Sequence, residues 1–166
     1  MERESRLGLF LVRHGEANPK SVDPSRSLSP RGQEEAASVG SFLSSLKVKP
    51  DQIYASDKIR AIKTAAIISG FLKFDEEKII VSDALGPEAN PEDVASLLSR
   101  NDPGGTIVVV GHMPSIGRFA GHLITTGREA VVSIDFDTCG VAYLEGEDVL
   151  EPGSFVLKAL VSPKII

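Results

Sequence analysis

The stretch LFLVRHGE, residues 9–16, decides how this chain is interpreted. It joins an apolar run, typical of a buried strand over 7–12, to an Arg-His-Gly triplet. A histidine at the end of a parallel strand, beside a permanently charged arginine, is suited to chemistry on an anion. The search for further motifs therefore starts from the ends of the other predicted strands.

Two further stretches extend this pattern. SDKIRAIKTA, residues 56–65, follows a short strand and opens an amphipathic helix, with Arg60 in the first turn, where backbone N–H groups favour anions. TIVVVGHMP, residues 106–114, again joins a β-branched run to a histidine and a helix start. Ligands of open α/β sheets collect outside the carboxyl ends of the strands, so we expect the polar side chains of all three motifs to meet there. They are Arg13, His14, Arg60 and His112.

The order of predicted elements indicates an α/β fold. Strands are predicted at 7–12, 52–55, 78–82 and 106–110, and helices at about 30–46, 58–72, 91–99 and 114–124. Apolar and polar residues then alternate over 132–137, and strands are predicted at 140–144 and 154–161, so the chain should end in two or three strands with an antiparallel edge. We expect a three-layer α/β/α sandwich with a mixed, mostly parallel central sheet, formed as a single domain over 1–166.

The bulk properties narrow the function classes. The chain has 166 residues, a net charge of −5 and a pI near 5.2, and this acidic character disfavours general nucleic-acid binding. No apolar stretch approaches the ~20 residues that span a bilayer, and no signal-type segment follows the opening residues, so we expect a cytoplasmic protein without membrane contact. The single cysteine, Cys139, suits a reducing compartment. Glu145 stands where a C-x₅-R phosphatase would need arginine.

Together, the motifs resemble the histidine phosphatase superfamily, which is built around an Arg-His-Gly motif. The short chain, the segment DPSRSLSPRG at 23–32 and the GHMP ending at 111–114 resemble the small phosphohistidine phosphatases of the SixA type. The matching motifs extend from Leu9 to about Gly121, with weaker similarity at 138–142. The resemblance implies a phosphatase whose substrate is phosphohistidine or another phosphorylated protein side chain. Side chains would hold the phosphoryl oxygens, so we expect neither a metal nor another cofactor.

The resemblance also implies roles for individual residues. His14 would attack phosphorus to give a phosphohistidine intermediate, which water then hydrolyses. This requires a neutral His14, and the like charges of Arg13 and Arg60 should disfavour its protonation. His112 would hold charge or donate a hydrogen bond to the phosphoryl group, and the arginines would grip oxyanions bidentately. Met113, beside His112, is included among the expected substrate-binding residues.

Two loop residues are further candidates. Arg26 matches an arginine of the SixA-type segment, which implies phosphate or substrate contact, and the alternative is an ion pair with Asp23. Glu88, in the loop after the third strand, is the first candidate for general acid, and Asp83 is the second. The segment GPEAN at 86–90 departs here from the acidic motif of larger family members. A phosphoramidate substrate would weaken the need for an acid.

Other functions remain open alternatives. SIDFDTC at 133–139 resembles the nucleophile motif of magnesium-dependent aspartyl phosphatases, although few residues follow it to supply their downstream motifs. A zinc site formed by the three histidines would lack a short-range ligand pair. A non-catalytic phosphate-binding interaction module is a further alternative. Within the superfamily, a small-molecule phosphate ester hydrolase or a mutase is also possible, although the chain lacks the long insertions that would enclose such a substrate.

Overall fold

The protein forms one six-stranded sheet with helices on both faces in a computed structural model, which describes residues 6–101, 104–126, 132 and 134–166. The sheet order is β3-β2-β4-β1-β5-β6. The strands are β1 (Arg6–Arg13), β2 (Gln52–Ser56), β3 (Ile80–Ser82), β4 (Gly105–Gly111), β5 (Val141–Glu147) and β6 (Phe155–Val161). The helices are α1 (Pro30–Ser45), α2 (Ile59–Phe71), α3 (Pro91–Ser99) and α4 (Ser115–Ile124).

The apolar run of β1 lies at the centre of this sheet. It pairs in parallel with β4 and antiparallel with β5, and its side chains alternate between two cores. Leu9 and Leu11 face the core beneath α3 and α4, whereas Phe10 and Val12 face the core beneath α1 and α2. A strand covered on both faces needs apolar side chains at every position, which explains the unbroken hydrophobic run.

The predicted fold class is confirmed. Three of the five strand pairings are parallel and two are antiparallel, with the antiparallel ones at the β5 and β6 side of the sheet. Helices α1 and α2 cover one face, and α3 and α4 cover the other, which gives three layers. Within the described ranges the longest helix, α1, has 16 residues, and no helix is long and apolar enough to cross a membrane.

One local prediction was wrong. The third strand is shorter than predicted and covers only Ile80–Ser82, because Glu76–Lys78 form a 3₁₀ turn. Of the two or three terminal strands predicted, β5 and β6 are formed, and the alternation over 132–137 does not mark a third among the residues described there. Ile134 and Phe136 are buried in the core while Asp135 between them is exposed, so the pattern reflects a loop that inserts alternate side chains into the core.

Candidate active site

The two motif histidines lie side by side because their strands are neighbours. β1 and β4 run in parallel with Arg13 opposite Gly111, so both chains leave the sheet at the same edge. The backbone N–H of His14 extends the ladder by donating to the Gly111 carbonyl at 3.0 Å. The two imidazole rings, His14 and His112, are 5.0 Å apart between centroids with an interplanar angle of 60°.

Arg60 joins the two histidines from the neighbouring helix. β2 lies on the other side of β4, and α2 begins just after it, so the first turn of α2 faces the same edge of the sheet. The Arg60 Nε donates to His14 Nε2 at 3.4 Å, and its Nη2 lies 3.4 Å from His112 Nδ1. These are long for N–H hydrogen bonds, so the guanidinium group remains available to an anion at this edge.

The backbone of Gly15 sets the orientation of the His14 ring. His14 Nδ1 lies 2.7 Å from the Gly15 carbonyl oxygen, and since a carbonyl only accepts, Nδ1 carries the proton. In the neutral ring the lone pair is therefore on Nε2, the atom that faces Arg60. This arrangement presents an unprotonated nitrogen toward a permanent cation, as an attack on an anionic phosphoryl group requires.

Thr64 ties the loop of the first motif to the helix of the second. This fully buried side chain accepts a hydrogen bond from the Gly15 N–H at 3.0 Å and donates to the Arg60 carbonyl at 2.7 Å. The sequence analysis missed this role, although Thr64 lies inside the quoted second motif. The available signal was the spacing, because a threonine four residues after an arginine lies on the same face of a helix.

Burial keeps both histidines neutral. It is the main reason that the pKa of His14 is lowered from 6.5 to about 4, and the charges of Arg60, Arg13 and Arg26 lower this pKa further, against the opposing effect of the Gly15 carbonyl. Burial also lowers the pKa of His112 to about 3, with smaller contributions from its charged neighbours. The predicted neutrality of His14 therefore has burial as its first cause, with like charge second.

Arg13 is fixed by the loop that precedes β5. Its Nη1 donates to the Phe136 carbonyl at 2.8 Å, and its backbone N–H donates to the Gly140 carbonyl at 3.1 Å. Its buried Nε has no hydrogen-bond partner among the described residues. Arg13 contributes to the lowered pKa values of His14 and His112, so its charge acts on the site from this anchored position.

Arg26 belongs to a loop organised by a carboxylate. Asp23 accepts hydrogen bonds from the backbone and hydroxyl groups of Ser25 and Ser27, which hold its pKa well below the usual range. The alternative ion pair between Arg26 and Asp23 is not formed in the described structure. Arg26 instead donates from Nε to the Asn18 carbonyl at 3.3 Å, and its charge helps to lower the pKa of His14.

The remaining predicted site residues lie further from the two imidazole rings. Glu88 is exposed and lines a cavity of about 320 Å³ together with Asp83 and Lys58. The backbone N–H of Lys58 donates to Ser56 Oγ, which lies 2.8 Å from His112 Nε2, so this cavity lies beside the site. Met113 is half-buried and packs against the core beneath α3 and α4. Among the described residues, no hydrogen bond, ion pair or ring contact joins the side chain of Glu88 or Met113 to either histidine or to Arg60.

The residues expected for an aspartyl phosphatase or for a zinc site of three histidines do not join the cluster of His14, Arg60 and His112. Asp137 accepts hydrogen bonds from Ser162 and Lys164 near the end of the chain, and Asp135 is exposed. His122 is half-buried on α4. Among the residues that the structure describes, no three side chains of histidine, cysteine, aspartate or glutamate converge in a way that could hold a metal ion.

The two lowered histidine pKa values predict a pH-dependent stability. Between about pH 6.5 and pH 4 the unfolded chain binds protons that folded His14 and His112 do not, so the free energy of unfolding should fall as pH falls through this window. Each histidine contributes a slope of at most about 1.4 kcal/mol per pH unit. Urea unfolding at pH 7 and pH 5 measures this slope. His14→Gln and His112→Gln should each reduce it, and an unchanged slope in both variants would contradict the assignment.

Comparisons with known proteins bear on this arrangement. The sequence pattern of the Histidine phosphatase superfamily (branch 1) matches residues 9–86, which include His14 and Arg60. The mitochondrial serine/threonine-protein phosphatase Pgam5 of Drosophila ananassae is 38% identical over 73 residues, or 43% of this chain. The match spans a quarter of the length of that relative.

Two solved structures resemble nearly the whole chain. The protein histidine phosphatase SixA in complex with tungstate has a TM-score of 0.82 at 22% identity, and the comparison covers 95% of this chain and 98% of that one. A protein assigned as a phosphohistidine phosphatase SixA, from Nakamurella multipartitia, has a TM-score of 0.79 at 20% identity, covering 95% and 96% of the two chains. At these identities the likeness concerns the fold. The sequence of residues 9–86 thus matches the histidine phosphatase superfamily (branch 1), and the fold of nearly the whole chain resembles that of SixA.

Proposed function

We propose that this protein is a phosphatase that works through a phosphohistidine intermediate on His14 Nε2. The proposal rests on one observation: His14 Nε2 is unprotonated and points toward the Arg60 guanidinium. The Gly15 carbonyl fixes the proton on Nδ1, and the bare Nε2 faces the Arg60 guanidinium, with the His112 ring on the same side. A phosphoryl group placed between these side chains would meet a nucleophile and cationic or N–H donors together.

The proposed reaction has two displacements. In the first, the bond from His14 Nε2 to phosphorus forms while the bond to the leaving group breaks, and Arg60 and His112 hold the phosphoryl oxygens. In the second, water attacks phosphorus, Nε2 leaves, and orthophosphate is released. Both steps keep the negative charge on the phosphoryl oxygens, so donors that are already in place serve both.

The leaving group determines whether an acid is needed. An ester oxygen needs a proton, and Glu88 is the proposed donor because it shares a cavity with Lys58, whose backbone is joined through Ser56 to His112. An imidazole leaving group can take its proton from water on its other ring nitrogen. The exposed position of Glu88 thus favours a phosphoramidate substrate over an ester.

The loops around the site favour a large substrate. In the described structure the loop at 14–29 after β1 is held to itself by the Ala17–Leu28 bridge and the hydrogen bonds of Asp23, and the loop at 83–90 after β3 is short, so little chain is left to enclose a small molecule. We propose phosphohistidine on a protein as the preferred substrate. A phosphorylated serine or threonine side chain is the second candidate, because the relative Pgam5 is named as a serine/threonine-protein phosphatase.

A panel of substrates tests this proposal. We expect a higher kcat/KM on a phosphohistidine peptide than on the matched phosphoserine peptide, p-nitrophenyl phosphate or a three-carbon phosphate. Glu88→Gln should slow the esters more than the phosphoramidate, because only the ester oxygen depends on the acid. Phosphate release, followed with each substrate at equal concentration, measures both effects.

The panel also separates the alternatives. A tenfold or greater preference for a small phosphate ester would contradict the proposed substrate class, and binding of phosphate without turnover of any substrate would favour an interaction module.

Each reaction is repeated in EDTA, where we expect full activity because side chains hold the phosphoryl oxygens. Activity lost in EDTA and restored by magnesium would favour the aspartyl phosphatase alternative, in which Asp135 and Asp137 belong to the nucleophile motif.

A further inference from the structure

Glu35 is a nearly buried carboxylate on α1 that faces the loop of the first motif. Its side chain is only 10% exposed. Its Oε2 accepts a hydrogen bond from the Glu16 backbone N–H at 3.1 Å, and its Oε1 accepts one from the Thr138 hydroxyl at 3.1 Å. The exposed guanidinium of Arg31, one turn earlier on the helix, lies 3.4 Å from the same Oε1. Both carboxylate oxygens are thus held in place, and one of them holds the loop.

The loop reaches this carboxylate because two glycines let it approach the helix closely. A Cβ on Gly15 would collide with the backbone of Gly32, and a Cβ on Gly32 would collide with the backbone of Glu16. Gly32 and Glu35 are three residues apart, so they lie on the same face of α1. The peptide that joins Gly15 to Glu16 is therefore placed beside the Glu35 side chain.

The same peptide contacts His14 through its other polar group. Its carbonyl, that of Gly15, accepts the proton of His14 Nδ1 at 2.7 Å, while its N–H, that of Glu16, donates to the carboxylate. A peptide is planar with its N–H and carbonyl pointing in opposite directions, so a partner on one side fixes both groups. Reversal of this peptide would present an N–H donor to Nδ1, and the ring proton would then have to sit on Nε2. The orientation of the peptide thus decides which ring nitrogen is free to attack.

We infer that Glu35 is a positioning residue for His14. Through its hydrogen bond to the Glu16 N–H it keeps the Gly15 carbonyl directed at Nδ1, so that Nε2 stays unprotonated and faces Arg60. Because the carboxylate contacts the peptide and not the ring, the essential feature is an acceptor oxygen at the right distance, and the negative charge is secondary. The inference rests on the proposed function for its use, since only a nucleophilic His14 needs this tautomer.

Two substitutions of Glu35 separate reach from charge. Glu35→Gln keeps the length and an acceptor oxygen but loses the charge, and its amide can donate to the Thr138 hydroxyl. Glu35→Asp keeps the charge but is one methylene shorter, so its carboxylate no longer reaches the Glu16 N–H. We expect Glu35→Gln to keep most of the wild-type kcat, and Glu35→Asp to lose about tenfold in kcat with a smaller change in KM. Equal activities of the two variants, or the reverse order, would overturn the inference.

The tautomer of His14 provides a second measurement, which needs no turnover. NMR of the whole chain, with heavy nitrogen in its histidines, distinguishes a protonated from a bare ring nitrogen, and the signal lost in His14→Gln identifies this residue. We expect the wild type and Glu35→Gln to carry the proton on Nδ1, and Glu35→Asp to show a population protonated at Nε2. A lower kcat in Glu35→Asp with the wild-type tautomer would indicate a merely structural role and overturn the inference.

Glu34 offers a matched control, because it precedes Glu35 on α1 and is exposed. Glu34→Asp makes the same chemical change away from the loop, so the tautomer and kcat should stay those of the wild type. If Glu35→Asp does not fold, Glu35→Met replaces it, because methionine fills similar space without an acceptor oxygen, and the same shift is expected. The expected tautomers in a protein that hydrolyses no substrate would refute the proposed function alone. The wild-type tautomer in every variant of an active enzyme would refute the inference alone.

Discussion

His14→Ala is expected to abolish phosphate release, with a fall in kcat of at least about 10⁴-fold, since the substitution removes the atom that bonds to phosphorus. The wild-type protein, quenched seconds after mixing with labelled substrate, should carry an acid-labile and base-stable phosphoryl group. Mass spectrometry under neutral conditions should place that group on His14. The expectation depends on the bare Nε2 that the Gly15 carbonyl enforces.

His122→Ala is the control for this experiment, because it removes a half-buried histidine from α4, outside the cluster described above. It should retain activity and label normally. Circular dichroism and thermal melting establish that each variant is folded. Substantial activity in folded His14→Ala, or label on another residue, would exclude the proposed intermediate.

Arg60→Ala is expected to have the second-largest effect, a fall in kcat/KM of roughly 10²-fold or more, or about 3 kcal/mol, which is typical for loss of a donor to developing charge. The side chain reaches both His14 and His112, so its removal affects the nucleophile and the phosphoryl oxygens together. Arg60→Lys should recover only part of the loss, since one ammonium group cannot reproduce two directed contacts. Steady-state kinetics on the best substrate of the panel measures the effect.

Lys63→Ala is the control for charge, as Lys63 is an exposed cation one turn further along the same helix. It should change kcat/KM little. Equal effects of Lys63→Ala and Arg60→Ala would mean that general electrostatic attraction, instead of a directed contact, explains the role of Arg60. Full activity in Arg60→Ala would remove the second motif from the site.

The central features of the fold were predictable because they depend on local pattern. Unbroken apolar runs marked β1 and β4 as strands buried on both faces. Ser29 and Asn90 are residue types that cap helix N-termini, and in the structure their side chains accept hydrogen bonds from the first turns of α1 and α3. The parallel order then brings strand ends together, so the proximity of His14 and His112 followed from the motifs.

Other features depended on contacts between distant segments, which a single sequence does not reveal. The alternation over 132–137 left the number of terminal strands open, because burial of Ile134 and Phe136 in a loop gives the same pattern as a strand. The contact of Ser56 with His112 joins residues on different strands, and the anchoring of Arg13 by Phe136 crosses most of the chain. Their side chains are common ones whose roles arise only in the assembled structure.

The central pairing of β1 with β4 has a consequence for how the protein acquires its activity. These strands are adjacent in space yet lie far apart in the chain, with Leu7 opposite Gly105, so closing this pair carries a large entropic cost and should come late in folding. During synthesis, His14 and Arg60 emerge well before His112, and a nascent chain lacks its second imidazole until β4 has been made. Recovery of catalysis during refolding should therefore follow completion of the central sheet and lag behind the formation of helical structure.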